Sequence, residues 1–261
     1  MSEIPTMGHV ALPILRIIDH GPDTKSFVLP APFPTSLPGQ FVFAWLPGLG
    51  EKPFSISEQY DGELELTVKA LGPFSRAMMS LEPGDKLGVR GPYGSAFDVP
   101  GPAVLLGGGI GIAPIRFLAR QLERAGRSAP ILLGARSKDE HVFVSDFERL
   151  GARFATDDGS LGHHGFVTDL LRDLPMTSDT TLCACGPEVM LVGVRGVAAE
   201  LELPMQLSME RYMKCGLGIC GQCCMDGSGV RCCVEGPVLD DALLDGVTEL
   251  GQTHRDGTGR R

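Results

Sequence analysis

The sequence predicts a β + α/β protein: an N-terminal antiparallel β-barrel, a parallel α/β domain, and a small C-terminal cysteine-rich module. Three observations carry this. Residues 1–100 hold short apolar runs of strand length, separated by Pro-Gly pairs. Residues 101–207 alternate apolar strands with helical stretches. Six of the eight cysteines fall between Cys215 and Cys233.

The 261 residues suit two ordinary domains plus an appendage and can bury a core without disulfides. A net charge of −9 argues against a nucleic-acid partner. The start, Met1-Ser2-Glu3-Ile4-Pro5, has no basic segment leading into an apolar one. The longest apolar stretch, 102–119, is broken by glycines, Pro114 and Arg116, so no membrane span is expected. A cytoplasmic location follows as the expectation, and in that compartment clustered cysteines point to metal or redox chemistry.

In the first hundred residues, strands are expected at 9–18, 25–29, 40–45, 63–70 and 86–90. Glu63-Leu64-Glu65-Leu66-Thr67-Val68-Lys69 alternates with period two, which predicts one buried and one wet face. Pro38-Gly39, Pro83-Gly84 and Gly91-Pro92 punctuate the runs, and regular short strands of this kind imply a closed or nearly closed barrel. A short helix is expected at 74–81. Lys52-Pro53-Phe54-Ser55-Ile56-Ser57 falls between two runs and by itself reads as a loop.

From residue 101 the pattern changes. Strands are expected at 103–106, 131–134, 152–156, 180–185 and 205–207, and helices at 114–124, 139–150, 167–171 and 188–200. Such alternation means a parallel sheet with helices on both faces. Gly107-Gly108-Gly109-Ile110-Gly111 follows the first strand and opens a helix, with Pro114 in its first turn. Amides there bind pyrophosphate, and glycine lets the backbone approach; a tight structural turn is the plain alternative. Cys185-Gly186-Pro187 ends a later strand. Ligands of open α/β sheets lie outside the carboxyl ends of the strands, so both turns face one crevice, expected to bind a nucleotide. Cys185 also reads as a small buried hydrophobe. Arg136-Ser137-Lys138 reads as a solvated basic loop in preference to a 2′-phosphate site.

Cys215, Cys220 and Cys223 form C-x4-C-x2-C, and a later cysteine closes the set, which is the plant-ferredoxin spacing for a [2Fe–2S] cluster. Gly216, Gly218 and Gly221 let backbone N–H groups reach sulfur. A structural zinc site uses paired C-x2-C knuckles and fits the spacing worse. Spacing does not choose between Cys232 and Cys233. The tail, 251–261, is expected to be disordered.

With a glycine-turn domain downstream, Lys52-Pro53-Phe54-Ser55 resembles the Arg-x-(Tyr/Phe)-Ser flavin motif of the ferredoxin-NADP reductase superfamily. Lysine stands where arginine is usual, which loses bidentate phosphate recognition. Thr67-Val68-Lys69-Ala70-Leu71-Gly72-Pro73-Phe74-Ser75 resembles that superfamily's second FAD segment. Gly91-Pro92-Tyr93-Gly94 matches a recurring loop before its nucleotide domain. The order of barrel, nucleotide domain and C-x4-C-x2-C module resembles the electron-transfer subunits of NAD-dependent dihydroorotate dehydrogenase. So do residues 156–160, 165–169, 210–215 and Cys233-Val234-Glu235-Gly236-Pro237-Val238.

The resemblance implies a flavin-binding β-barrel at 1–100, an NAD-binding domain at 101–207 and a [2Fe–2S] module at 208–250. It implies FAD at Lys52, Pro53, Phe54, Ser55, Thr67, Val68, Lys69, Gly72, Phe74 and Ser75. NAD(H) is expected at Gly108, Gly109, Gly111, Cys185, Gly186 and Pro187. Cys233 becomes the fourth cluster ligand, with Cys232 a spare thiol. The implied activity is oxidoreductase electron transfer between NAD and an FMN-containing dihydroorotate dehydrogenase partner, in pyrimidine biosynthesis. Leu217 and Ile219 are expected at the docking surface. No side chain is required as an acid or base, because the cofactors carry the chemistry. Diaphorase-type subunits of hydrogenases, sulfide dehydrogenases and bifurcating transhydrogenases share the C-terminal module and are the nearest alternative. A zinc-ribbon nucleotide sensor is the alternative of another class.

Overall fold

The computed structural model describes residues 8–252 and 255–260. The first sheet contains β1 (Val10–Pro13), β2 (Arg16–Asp19), β3 (Thr24–Pro30), β4 (Phe41–Leu46), β5 (Gly50–Tyr60), β6 (Glu63–Lys69) and β7 (Lys86–Tyr93), with α1 (Pro73–Met78) between the last two. Its order is β1-β7-β4-β5-β6-β3-β2, antiparallel throughout. The expected strand at 9–18 is two: at Ile14-Leu15 the chain crosses from one edge of the sheet to the other, which curls it into a barrel. Ile14 N–H donates to Asp85 on one side and Leu15 N–H to Val28 on the other, both at 2.8 Å.

Lys52–Ser57 is not a loop. It lies within β5, the longest strand of the barrel. Residues 50–55 pair only with β4, and residues 56–60 pair with β6 beyond a bulge at Ile56/Glu58. Pro53, which has no N–H to give, therefore sits where one strand edge is unpaired. The proline and the interspersed polar residues hid the strand from sequence reading.

The second sheet is built from β8 (Ala103–Gly108), β9 (Ile131–Ala135), β10 (Arg153–Thr156), β11 (His163–His164), β12 (Thr181–Cys185), β13 (Met205–Ser208) and β14 (Val238–Asp240). The order is β11-β10-β9-β8-β12-β13-β14, parallel except for the β13–β14 pair. The helices are α2 (Ile112–Arg124), α3 (Val144–Arg149), α4 (Val167–Arg172), α5 (Glu188–Leu201) and α6 (Asp241–Leu244). Alternate sheet residues point to opposite cores: Leu105, Leu133 and Cys183 pack with α2 and α3, whereas Leu106, Leu132 and Ala184 pack with α4 and α5. The helix expected at 139–150 is shorter, because a 3-10 turn (Lys138–Glu140) and left-handed Phe143 (φ 59°) delay its start.

β6 has no wet face: Glu65 and Thr67 are buried along with Leu64, Leu66 and Val68. The cover is α2. Its Phe117 enters the barrel core, while its Ile115, Leu118 and Leu122 pack on the second sheet. Arg116 reaches Glu65 at 3.4 Å and Asp146 at 2.6 Å, and Arg124 binds Glu58 at 2.9 Å. Alternation within β6 carries no information about a helix from another sheet.

The cysteine-rich segment lends β14 to the second sheet. Cys223, Cys232, Cys233 and Met225 join the core that α4 and α5 share. The described tail residues are not free of it. Arg255 pairs with Asp226, and Gln222 Nε2 donates to the Asp256 carbonyl at 2.9 Å.

Candidate functional site

Where β6 leaves β5, the bared strand edge forms one wall of a cleft of about 610 Å³. Lys52, Pro53 and Phe54 stand on that edge. Opposite are Lys69 and the turn through Gly72, Phe74 and Ser75. The floor comes from Gly186, Glu188 and Leu191 at the start of α5, and from Glu210–Met213. Seven of the ten residues expected at the flavin thus line one cleft. Ser55 lies just beyond the lining stretch. Thr67 and Val68 are turned inward. The Thr67 hydroxyl bonds Ser26 Oγ at 2.8 Å, and Val68 belongs to the barrel core. The Ser75 hydroxyl accepts the N–H groups of Leu71 and Gly72 (2.9 and 3.0 Å), which shapes the turn. Lys52 Nζ lies 4.6 Å from the Tyr212 ring centroid and donates to its hydroxyl at 3.2 Å.

Beside the cleft opens a crevice of about 470 Å³ at the carboxyl ends of β8, β9 and β10. Gly108, Gly109 and Pro187 line it, with Ala135, Asp157, Phe166 and Met190. The two glycine turns touch. A Cβ on Gly111 would stand 2.4 Å from the Cys185 carbonyl oxygen, and one on Gly186 would stand 3.0 Å from Gly108 Cα. Only glycine permits this approach. Gly111 and Cys185 therefore shape the crevice from behind and do not line it. Burial pushes the Cys185 thiol up to about 12, which makes it an inert packing group. Arg136 is exposed and paired with Glu140, and it also lines this crevice.

In the cysteine-rich loop, left-handed Gly216 and Gly218 (φ 72° and 71°) turn backbone N–H groups toward sulfur; Leu217 N–H donates to Cys215 Sγ at 3.4 Å. Burial opposes ionisation of Cys215, but the N–H groups of Leu217, Cys220 and Ile219 and the Cys220 thiol bring it down to about 7. The Cys233 thiol bonds Cys223 and brings that group down to about 6; Cys233 is pushed up in return. The sulfurs thus fall into two pairs, Cys215 with Cys220 and Cys223 with Cys233. Among the described residues no three His, Cys, Asp or Glu groups are gathered as tightly as one mononuclear ion requires. Two pairs are the division that a two-iron cluster with four cysteine ligands needs. Cys232 points away, buried, its thiol on the Met209 carbonyl at 3.4 Å. Cys224 stands apart, near Arg231, Glu235 and Arg255. Ile219 is exposed, as expected, whereas Leu217 is half-buried against the core.

Sequence reading missed Arg90, Glu51 and Arg211. Arg90 is buried on β7, holds both Glu51 oxygens (2.6 and 2.8 Å), and donates to the Cys215 carbonyl at 2.9 Å. The barrel thereby grips the first cysteine of the loop. No local pattern marks these residues, because their ionic partners are 23 to 39 positions away, and the Cys215 carbonyl that Arg90 holds is 125 away.

An antiparallel barrel, a parallel sheet with touching glycine turns and a four-thiol loop define an oxidoreductase of the ferredoxin-NADP reductase-like class. Residues 12–97 match the family model of the oxidoreductase FAD-binding domain. Residues 210–245 match that of the iron-sulfur cluster binding domain of dihydroorotate dehydrogenase B. A probable dihydroorotate dehydrogenase B (NAD(+)) electron transfer subunit of Methanocaldococcus jannaschii is 41% identical over 95% of this chain and 96% of its own. That of Thermococcus kodakarensis is 44% identical over 80% and 87%. Among solved structures, one of the NADH-dependent reduced ferredoxin-NADP oxidoreductase superposes with TM-score 0.80 at 28% identity, covering 95% of this chain and 94% of that one. The chain belongs to the family of dihydroorotate dehydrogenase B electron transfer subunits.

Proposed function

We propose that this chain carries electrons between NAD(H) and a catalytic, FMN-containing dihydroorotate dehydrogenase subunit, and so serves pyrimidine biosynthesis in the cytoplasm. One observation carries the reading: crevice, cleft and thiol set are consecutive. Pro187 lines the crevice while its neighbour Gly186 lines the cleft, and Met213 lines the cleft two residues before Cys215. A bound flavin supplies the conversion between paired electrons at a nicotinamide and single electrons at an iron–sulfur cluster.

The chain's own residues bind and orient. Gly108 and Gly109 leave space for the dinucleotide phosphates ahead of α2. Phe54, Phe74 and Tyr212 offer flat apolar walls to a ring, and Lys52 and Lys69 offer positive charge. Cys215, Cys220, Cys223 and Cys233 hold the cluster, and Cys220 and Ile219 face outward for the partner. The thiols of Cys183 and Cys185, raised by burial to about 12, take no part.

Anaerobically purified protein is expected to contain one FAD, two irons and two sulfides, and to restore dihydroorotate-dependent NAD reduction when mixed with the FMN subunit. Protein that holds flavin and cluster yet gives no such transfer would leave the second reading. That reading is the subunit of a bifurcating NADH-dependent reductase, which the 0.80 superposition favours.

A further inference from the structure

Arg90 is held in a socket that belongs to the barrel, its side chain only 6% exposed. Nε and Nη2 bind Glu51 at 2.8 and 2.6 Å, and Nη1 donates to the Tyr93 hydroxyl at 3.1 Å. The guanidinium carbon lies 4.0 Å from the Phe43 ring centroid. Two of these partners belong to the ladder that walls the flavin cleft: Glu51 precedes Lys52 on β5, and Phe43 of β4 pairs with Pro53. From that socket the same guanidinium reaches the cysteine loop. Nη1 donates to the Cys215 carbonyl at 2.9 Å and Nη2 to the Lys214 carbonyl at 3.3 Å. Left-handed Gly216 then closes on Phe43, where a Cβ would stand 2.6 Å from Cε2. The far end of the loop is tied to the same stretch of barrel. Ser95, two residues past β7, donates its N–H to the Gly236 carbonyl at 2.6 Å and its hydroxyl to the Val238 carbonyl at 2.8 Å. The chain before Cys215 and the chain after Cys233 are thus both tied to β7 and its exit.

We propose that Arg90 is a positioning residue for electron transfer: it sets the place of the first cluster cysteine relative to the flavin cleft. The proposal rests on the flavin and cluster reading. A buried ion pair adds little stability that apolar packing would not. What the planar, bidentate fork adds is direction, here from the cleft wall to the Cys215 backbone. The step it serves is the passage of one electron from the reduced flavin to the oxidised cluster, after NADH has given its hydride to the flavin and left as NAD+. No bond forms or breaks in that passage, so the relative placement of the two groups is what a side chain can govern. Arg90 lines neither the cleft nor the crevice, so hydride delivery does not depend on it.

The test uses the full chain loaded with FAD and cluster, mixed anaerobically with NADH in a stopped-flow spectrometer that follows flavin and cluster bands separately. Arg90→Met/Glu51→Gln removes one charge of each sign; His9, which also bonds Glu51 at 2.8 Å, keeps a partner in the glutamine. Arg90→Lys keeps the charge and loses the fork. Iron content, both midpoint potentials and the rate of flavin reduction should stay at wild-type values. Cluster reduction should slow about ten-fold in the double variant, as misplacement on the ångström scale costs, and less in Arg90→Lys. Unmoved midpoints separate a change of place from a change of driving force. A wild-type rate of cluster reduction in the double variant would overturn the proposal. So would equal slowing of both steps, a cluster midpoint shifted enough to account for the loss, or loss of iron from both variants. If only the double variant loses iron, Arg90→Lys decides, and a wild-type rate there overturns the proposal. Wild-type protein whose cluster NADH does not reduce would overturn the flavin and cluster reading, whereas normal wild-type transfer with unmoved variants defeats Arg90 alone.

Discussion

The contact between the two glycine turns predicts a graded response to alanine. At Gly111 the new Cβ would lie 2.4 Å from Cys185 O, 2.5 Å from its carbonyl carbon and 2.7 Å from Gly186 N. All three are backbone atoms, tied into the β8–β12 ladder through the Cys185–Gly107 register, so no side chain can rotate away. One turn must move by most of an ångström, at a cost of about 1–3 kcal/mol for overpacking. For a chain of this size that is a fall of about 2–12 °C in Tm. The displaced turn is the one that borders the crevice, so NADH affinity should fall by about ten-fold. Gly109 is the contrast. Its Cβ would meet nothing nearer than 4.0 Å, but φ is +52°, and the left-handed conformation costs about 1–2 kcal/mol. Gly101, with ordinary φ and its nearest neighbour at 3.9 Å, is the control. Thermal melts and NADH titrations of the three alanine variants check the order. A Gly111→Ala protein that melts and binds like Gly101→Ala would refute the abutting turns.

Cys233→Ser should lose iron and sulfide while Cys232→Ser keeps both, because the Cys233 thiol faces Cys223 whereas the Cys232 thiol is buried on the Met209 carbonyl; iron analysis of the two proteins decides this. Arg116→Met should destabilise by about 3–5 kcal/mol in denaturant titrations, since Glu65 is left buried and unpaired, and Arg116→Met/Glu65→Leu should recover much of that. Burial lowers both His20 and His141, so the unfolded chain takes up protons below its own histidine value before the folded chain does. Their contribution to stability is therefore complete above about pH 6.5 and is lost as pH falls through the folded values. Tm measured from pH 7.5 downward should drop accordingly, with a shallower slope in His20→Gln.

Much was legible in the sequence because the signals were local. Strand–helix alternation, a glycine run opening a helix and C-x4-C-x2-C each follow from neighbouring residues obeying backbone geometry, and they marked the nucleotide crevice and three of the four paired thiols. Resemblance supplied the fourth, Cys233. What the tertiary structure alone decided involves residues far apart in the chain. β5 is a strand because β4 and β6 each take half of it, and the half that β6 leaves bare becomes the cleft wall. β6 is dry on both faces because α2 brings Arg116 and Phe117 from the other sheet. Cys232 and Cys233 are adjacent, chemically alike and both buried, and only the fold turns one thiol onto the Met209 carbonyl and the other toward Cys223. Arg211 is an ordinary arginine in sequence. Burial between Glu188 and Glu249 makes it a fixed donor, since desolvation and long-range pairing exist only once the chain has closed.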